Sequence, residues 1–250
     1  MKVYITYCLS CVLLATTEGL LKDIRTYKEF IATVHNFYRS YERAADMKEL
    51  QWDPYLQSRA ELWSENCFWD HQRDGLGENL AYFWTNGPGL STLEIIIKSC
   101  QNWWKEVNDW HWSTDCGQAC HYTQMIWGST ERIGCALSKC SSLRTDSGRS
   151  FNNSDFFVCF YDPPGNFVGK YPYTLGEQCT KCDYGDTCNG GLCSKTTGGV
   201  STSPQVNMLN KVKMQPDSVV TYSEELNKAT SSPKSSPKTF VRRVVYNWTH

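Results

Sequence analysis

Cysteine, more than any other residue type, limits what this chain can fold into. Thirteen are spread over 250 residues, and two of them, Cys8 and Cys11, fall inside an apolar amino-terminal run. Lys2 followed by Val3 to Ala15 has the make-up of a secretory signal: a short cationic start, then an apolar stretch too short to cross a hydrocarbon core of roughly 30 Å as a helix. Ala15-Thr16-Thr17 offers small residues for cleavage, so residues 1–17 are expected to be a signal peptide and the mature chain to begin near Glu18. No other stretch is long and apolar enough to serve as a transmembrane segment. Disulfides persist in secreted and other oxidising compartments, so destination and cysteine content agree. Eleven cysteines remain after cleavage. That number is odd, so one thiol is either free or joined to another chain, which leaves monomer and dimer both open.

Formal charge is −1 overall but uneven: residues 195–250 carry +5 and the rest −6. Neither value fits a nucleic-acid binder. From Asp23 to about Ala44 apolar residues recur at helical spacing (Ile24, Tyr27, Ile31, Val34, Tyr38, Tyr41). A second helix is expected from Pro54, a residue favoured at the first helical position, to about Asn66, burying Leu56, Ala60 and Trp63. A third is expected over 91–107, with Ser91 as cap and Glu94 as its capping-box partner. Ile133 to Leu137 and Phe156 to Tyr161 are β-prone runs of strand length. Helices first and strands later predict a layered α+β domain with one sizeable core.

Cys179-x2-Cys182-x5-Cys188-x4-Cys193 is a separate unit with almost no hydrophobic residues. So small a segment needs staples, either disulfides or zinc, and a secreted chain favours disulfides. Beyond it, residues 195–250 are rich in Ser, Thr, Pro and Lys, a composition that cannot offset the entropy of ordering; this tail is expected to be disordered. Asn152-Asn153-Ser154 and Asn247-Trp248-Thr249 are N-glycosylation sequons, at Asn152 and Asn247. Tyr82-Phe83-Trp84 reads either as a lipid contact or, preferentially, as a strand end packed on the core. His35 fits a structural hydrogen bond on the first helix, and His111, between two tryptophans, a packing or surface position.

Six segments, in order, resemble those of the CAP superfamily (SCP/TAPS), which includes venom allergen-like, cysteine-rich secretory and glioma pathogenesis-related proteins. They are His35-Asn36-x-x-Arg39, the stretch from Leu50-x-Trp52-Asp53 to Cys67, Gly77-Glu78-Asn79-Leu80-Ala81, Trp103-Trp104-x-Glu106, His121-Tyr122-Thr123-Gln124-Met125-Ile126-Trp127, and residues 158–166 ending in Pro163-Pro164-Gly165-Asn166. The resemblance implies a three-layer α-β-α sandwich over 23–177, then a small disulfide-stapled hinge over 178–194. It implies a cavity tetrad of His71, Glu78, Glu106 and His121. Two neutral imidazoles suit Zn²⁺ or another divalent cation, and two carboxylates can orient the rings. His71 and His121 are therefore the candidate metal ligands, of a weakly bound ion.

Two departures bear on chemistry. Many relatives have Ser after the first histidine where this chain has Gln72, and Gly before the second where it has Cys120. A Ser/His/Glu hydrolase thus loses its nucleophile, no Gly-x-Ser-x-Gly elbow replaces it, and no catalytic residue is assigned. The resemblance also implies the pairs Cys67–Cys140, Cys135–Cys159, Cys116–Cys120, Cys179–Cys188 and Cys182–Cys193, leaving Cys100, for which a buried thiol is preferred over an exposed one. Three functions follow: a secreted, non-catalytic binding or signalling protein acting on another extracellular protein; a carrier of sterol or fatty acid; and a metal-dependent hydrolase with Glu78 or Glu106 as general base. The first two are favoured together, and the hydrolase ranks last.

Overall fold

In the computed structural model, residues 19–195 are described; the expected signal peptide, Asn247 and all of the expected tail after Lys195 lie outside them. Helix α1 (Lys28–Arg39) follows a 3-10 turn over Arg25–Tyr27 and ends short of the expected Ala44. Ile24, Ile31, Val34 and Tyr38 face the core as the periodicity requires, while Tyr41, beyond the helix end, is 50 % exposed. Helix α2 (Pro54–Glu65) starts where Asp53 Oδ1 accepts the backbone N–H groups of Tyr55 and Leu56, with Pro54 as the first helical residue. Helix α3 (Thr92–Lys105) opens with the Ser91–Glu94 capping box. Helix α4 (Cys120–Met125) contains the whole His-Tyr-Thr-Gln run, His121 to Gln124.

The sheet is centred on two long antiparallel strands, β5 (Arg132–Thr145) and β6 (Ser150–Asp162). Strand β4 (Gly77–Phe83) pairs with β6, and β1 (Gly19–Lys22) pairs with the outer edge of β5, so residues ahead of Asp23 also join the sheet. Short strands β2 (Gln51–Trp52) and β3 (Phe68–Trp69) run parallel to β5. The Phe156–Tyr161 run is apolar throughout because both of its faces are covered. Phe156, Val158 and Phe160 pack with Leu56 and Ala60 of α2, whereas Phe157, Cys159 and Tyr161 pack with α1, α3 and α4. That alternation is the three-layer sandwich. Gly134 lets α2 lie directly on β5: a Cβ there would sit 2.2 Å from the Gln57 backbone nitrogen.

Disulfides join Cys67 to Cys140, between the end of α2 and β5, and Cys135 to Cys159 across the β5–β6 pair. Cys116–Cys120 closes the loop before His121. Cys179–Cys188 and Cys182–Cys193 staple the last unit, whose hairpin is β7 (Asp186–Asn189) and β8 (Leu192–Lys195). This unit is fastened to the sandwich. The Glu49 N–H donates to Cys193 O at 3.0 Å, the Cys193 N–H to Met47 O at 2.7 Å and the Lys181 N–H to Ala45 O at 2.9 Å. Lys48 Nζ reaches both Glu131, at 2.6 Å, and Asp183. Cys100, on α3, is a free and fully buried thiol. Phe83 is core and the Tyr82 ring lies against Trp69 and Phe151, so the strand-end reading of that cluster holds.

Candidate functional site

Where α3 runs out, the chain makes a 3-10 turn over Glu106–Asp109 and returns through the Cys116–Cys120 loop into α4. Helix α4 has no capping side chain of its own. Glu106 supplies one from across the cavity: its Oε2 accepts the backbone N–H groups of His121 (3.0 Å) and Tyr122 (3.2 Å), satisfying two donors that a helix start leaves open. Its Oε1 lies 2.7 Å from His121 Nδ1. With Nδ1–H donating to that carboxylate, the ring's lone pair is on Nε2, the tautomer a metal ligand needs. The His121 ring is further held parallel to Trp103, at 6.2 Å between centroids.

His71, on the loop after β3, forms the second pair. Its Nδ1 is 3.5 Å from Glu78 Oε2, and the same oxygen accepts the Gln72 backbone N–H at 2.9 Å. Glu78 is almost fully buried while His71 is half exposed at the mouth. The hydrogen bond to Glu78 raises the His71 pKa above its ordinary value, against the opposing effect of burial. Glu78 Oε1 is buried with no hydrogen-bond partner.

All four residues line one open cavity of about 860 Å³. Its hydrophobic side chains are Trp69, Leu76 and Leu80, beside the Cys116–Cys120 disulfide; the remainder of the wall is polar, charged or glycine. None of its lining residues is Ser, Thr or Tyr, and both of its cysteines are bonded to each other. The donor set fits a divalent cation: two imidazoles, each with a carboxylate at Nδ1, and one buried carboxylate oxygen lacking a partner. Among the described residues, the one group of three donor atoms within 4.8 Å is that of Cys179, Cys182 and Cys193. Those sulfurs belong to two adjacent disulfides and have no thiolate to give.

The backbone around His121 is fixed by residues on three other elements. Asn79 of β4 donates to His121 O (3.0 Å) and to Tyr161 Oη (3.2 Å). Tyr161 in turn meets His35 Nε2 at 3.0 Å, while His35 Nδ1 bonds Ile31 O at 2.8 Å. Burial lowers the His35 pKa to about 4, so this ring is neutral and structural. Arg39, fully buried, donates to the carbonyl oxygens of Met125 (2.8 Å), the last residue of α4, and Trp127 (2.9 Å) just beyond it, and to those of Lys48 and Thr130. The two sequence signatures bond directly to each other. Thr123 Oγ1 donates to Asn166 Oδ1 (2.7 Å), Asn166 Nδ2 to Cys120 O (2.8 Å) and the Gly165 N–H to Gln124 Oε1 (2.9 Å). A Cβ on Gly77 or Gly165 would lie 2.4 or 2.9 Å from the Gln124 amide, so a side chain at either position would have to displace that amide. Glu42 had no sequence signal. Its carboxyl, with its pKa raised by burial, accepts Tyr122 Oη and Tyr173 Oη, each at 2.7 Å, across 80 and 131 residues. His111 is exposed, and Asn152 is exposed on β6.

This architecture can be set beside known proteins. A solved structure named "Crystal structure of NaASP2 with Zn2+" superposes with a TM-score of 0.57 and 27% sequence identity, covering 68% of this chain and 96% of that one. Human "Cysteine-rich secretory protein LCCL domain-containing 2" is 30% identical over an alignment of 246 positions that covers 88% of this chain and 48% of that protein, so this chain spans about half that relative's length. "Peptidase inhibitor 15" of Xenopus laevis is 33% identical over 183 residues, covering 65% of this chain and 68% of that protein. The model of the family described as "CAP: Cysteine-rich secretory protein family" matches residues 32–161, from α1 through β6. With the sandwich, the signature contacts and that match all in place, the chain belongs to the CAP, or cysteine-rich secretory protein, family.

Proposed function

We propose that this chain is a secreted, non-catalytic binding protein that acts on another extracellular protein, and that its cavity takes a weakly held divalent cation, Zn²⁺ by donor chemistry, at His71 and His121. The observation that carries the reading is the double imidazole–carboxylate arrangement in a cavity whose walls offer no hydroxyl or free thiol nucleophile. Glu106 is engaged with two backbone N–H groups and His121, and Glu78 Oε2 with the Gln72 N–H and His71, an arrangement suited to orienting the two rings, while Glu78 Oε1 stays open to a bound cation. The NaASP2 structure, named as one with Zn²⁺, and the inhibitor names among the relatives lend support, and a peptidase is the partner class those names suggest. Charged and amide side chains outnumber the three hydrophobic ones around this cavity, which favours an ion over a sterol or fatty acid there, because such lipids are driven in by apolar burial. When bound, the cation would supply an electropositive centre for a partner's carboxylate or carbonyl oxygen.

Isothermal titration with Zn²⁺ tests the site: micromolar or weaker uptake by the wild type, lost in His71→Ala/His121→Ala, supports it. Equal uptake by both proteins would remove it. A peptidase and esterase panel run with and without Zn²⁺ should show no turnover, and zinc-dependent hydrolysis abolished by Glu78→Gln would overturn the non-catalytic reading.

A further inference from the structure

The segment after the second signature is built as a rigid apolar projection. Phe167 to Lys170 form a four-residue turn, closed by the Lys170 N–H on Phe167 O at 3.0 Å, with Gly169 at φ +81° in the third position. Val168 is at its tip and is 97 % exposed; Phe167 and Tyr171 on its shoulders are each nearly half exposed. The turn is held from several sides. The Gly169 N–H donates to Thr114 O, the Gly128 N–H to Pro172 O, Asn166 is bonded to Thr123 and Cys120, and the Tyr171 ring stacks on Trp112 at 5.0 Å. Three exposed apolar side chains on one fixed turn differ from the singly scattered Tyr55, Leu62 and Tyr184, since isolated apolar residues on a surface need no explanation.

We infer that this turn is a membrane-contact element, which inserts Val168 and the edges of Phe167 and Tyr171 into the interface of a bilayer carrying anionic headgroups. Three observations favour that partner over a protein. The surface is convex, and one turn offers far less area than the roughly 1,200–2,000 Å² that a stable protein interface buries, whereas a bilayer needs only the tip. Its composition is that of interfacial anchors: an aliphatic point, aromatic shoulders and one cation. Charge is complementary as well, since Lys170 is the sole charged residue from Pro163 to Tyr173; its Nζ rests 5.1 Å above the Phe167 ring, so head and ring can meet the headgroup layer together. Asp115 lines the small hollow beneath the turn with Lys170, and its Oδ1 accepts the Gly117 N–H. The inference does not depend on the cavity cation.

Flotation of the full chain tests it, with a chelator present and vesicles of phosphatidylcholine alone or mixed with phosphatidylserine. The wild type should float with the mixed vesicles. Val168→Asp should cut the bound fraction about tenfold or more, as expected for replacing a buried aliphatic side chain by a charge. Lys170→Ser should weaken binding to the mixed vesicles alone, and Tyr184→Ser, on the hinge unit, should change nothing. Failure of the wild type to float with either vesicle overturns the inference, as does flotation of Val168→Asp equal to wild type or a loss in Tyr184→Ser as large as in Val168→Asp.

Discussion

Replacing Arg39 with Met should be among the most damaging single changes to this fold. The guanidinium is fully buried and donates to carbonyl oxygens from two directions: Lys48 on one side, at 3.0 and 2.6 Å, and Met125, Trp127 and Thr130 on the other, at 2.8 to 3.1 Å. Gly128 O lies further off at 3.4 Å. Trp127 O and Gly128 O also accept backbone N–H groups, from Thr130 and Lys48, and so lose less. Lys48, Met125 and Thr130 carry the main loss, at about 1–3 kcal/mol for each buried acceptor left unmet. Methionine fills similar space and removes a costly buried charge, which offsets part of this. The net expectation is a loss of about 3–5 kcal/mol, against a total of ~5–15 kcal/mol for a typical domain. In thermal unfolding of the oxidised protein that is a fall in Tm of about 10 °C or more. Arg39→Lys should fall between, because an ammonium cannot span both groups of carbonyls. A Met variant within about 1 kcal/mol of wild type would refute the reasoning, since the carbonyls would then have found other partners.

The remaining expectations come from single sites. Zinc affinity should decline on acidification, starting above the ordinary imidazole value of about 6.5, because Glu78 holds a proton on His71 that the metal must displace; titration calorimetry across pH shows a lower onset if that contact is absent. His35 is neutral in the fold and pushed down to about 4, so between pH ~6.5 and ~4 the unfolded chain takes up a proton that the folded one refuses. Stability should fall as pH drops through that window, by about 3 kcal/mol in all, and denaturant melts of His35→Gln should lack this component. Gly134→Ala should cost about 1–3 kcal/mol by forcing α2 off β5, whereas Gly89→Ala, with nothing within 4 Å of its new methyl, should be near neutral in the same thermal melts. Cys100 should resist alkylation in the native protein and label only after denaturation, since the thiol is fully buried and burial pushes its pKa up.

Local rules carried the helices and strands a long way. Pro54 after Asp53, and Ser91 three residues before Glu94, are stop-and-start signals that act over one turn, so they are readable without knowing the fold. The apolar runs within β5 and β6 were readable too, though not their full length, because the Ser142–Thr145 and Ser150–Asn153 ends are mostly polar, with one apolar residue each (Leu143, Phe151), and pair with each other next to the hairpin turn. Helix α4 escaped local reading: six residues without a cap of their own form a helix because Glu106, fourteen residues upstream of Cys120, caps them.

By itself, then, the sequence determined the helices and strands, through periodicity and caps that survive in one dimension, while the sandwich and the four cavity residues were legible only through the resemblance of its six segments to the CAP superfamily. Only the tertiary structure decided what those residues do to one another. That Glu106 serves as cap and ring-orienter at once, that Glu78 is buried while His71 lies at the mouth, and that Thr123 and Gln124 hold Asn166 and Gly165 are facts of distance across the chain. The same holds for Glu42 between two tyrosines and for the exposed turn at Val168. Burial and pairing are set by whichever elements the fold brings together, and no local pattern records them.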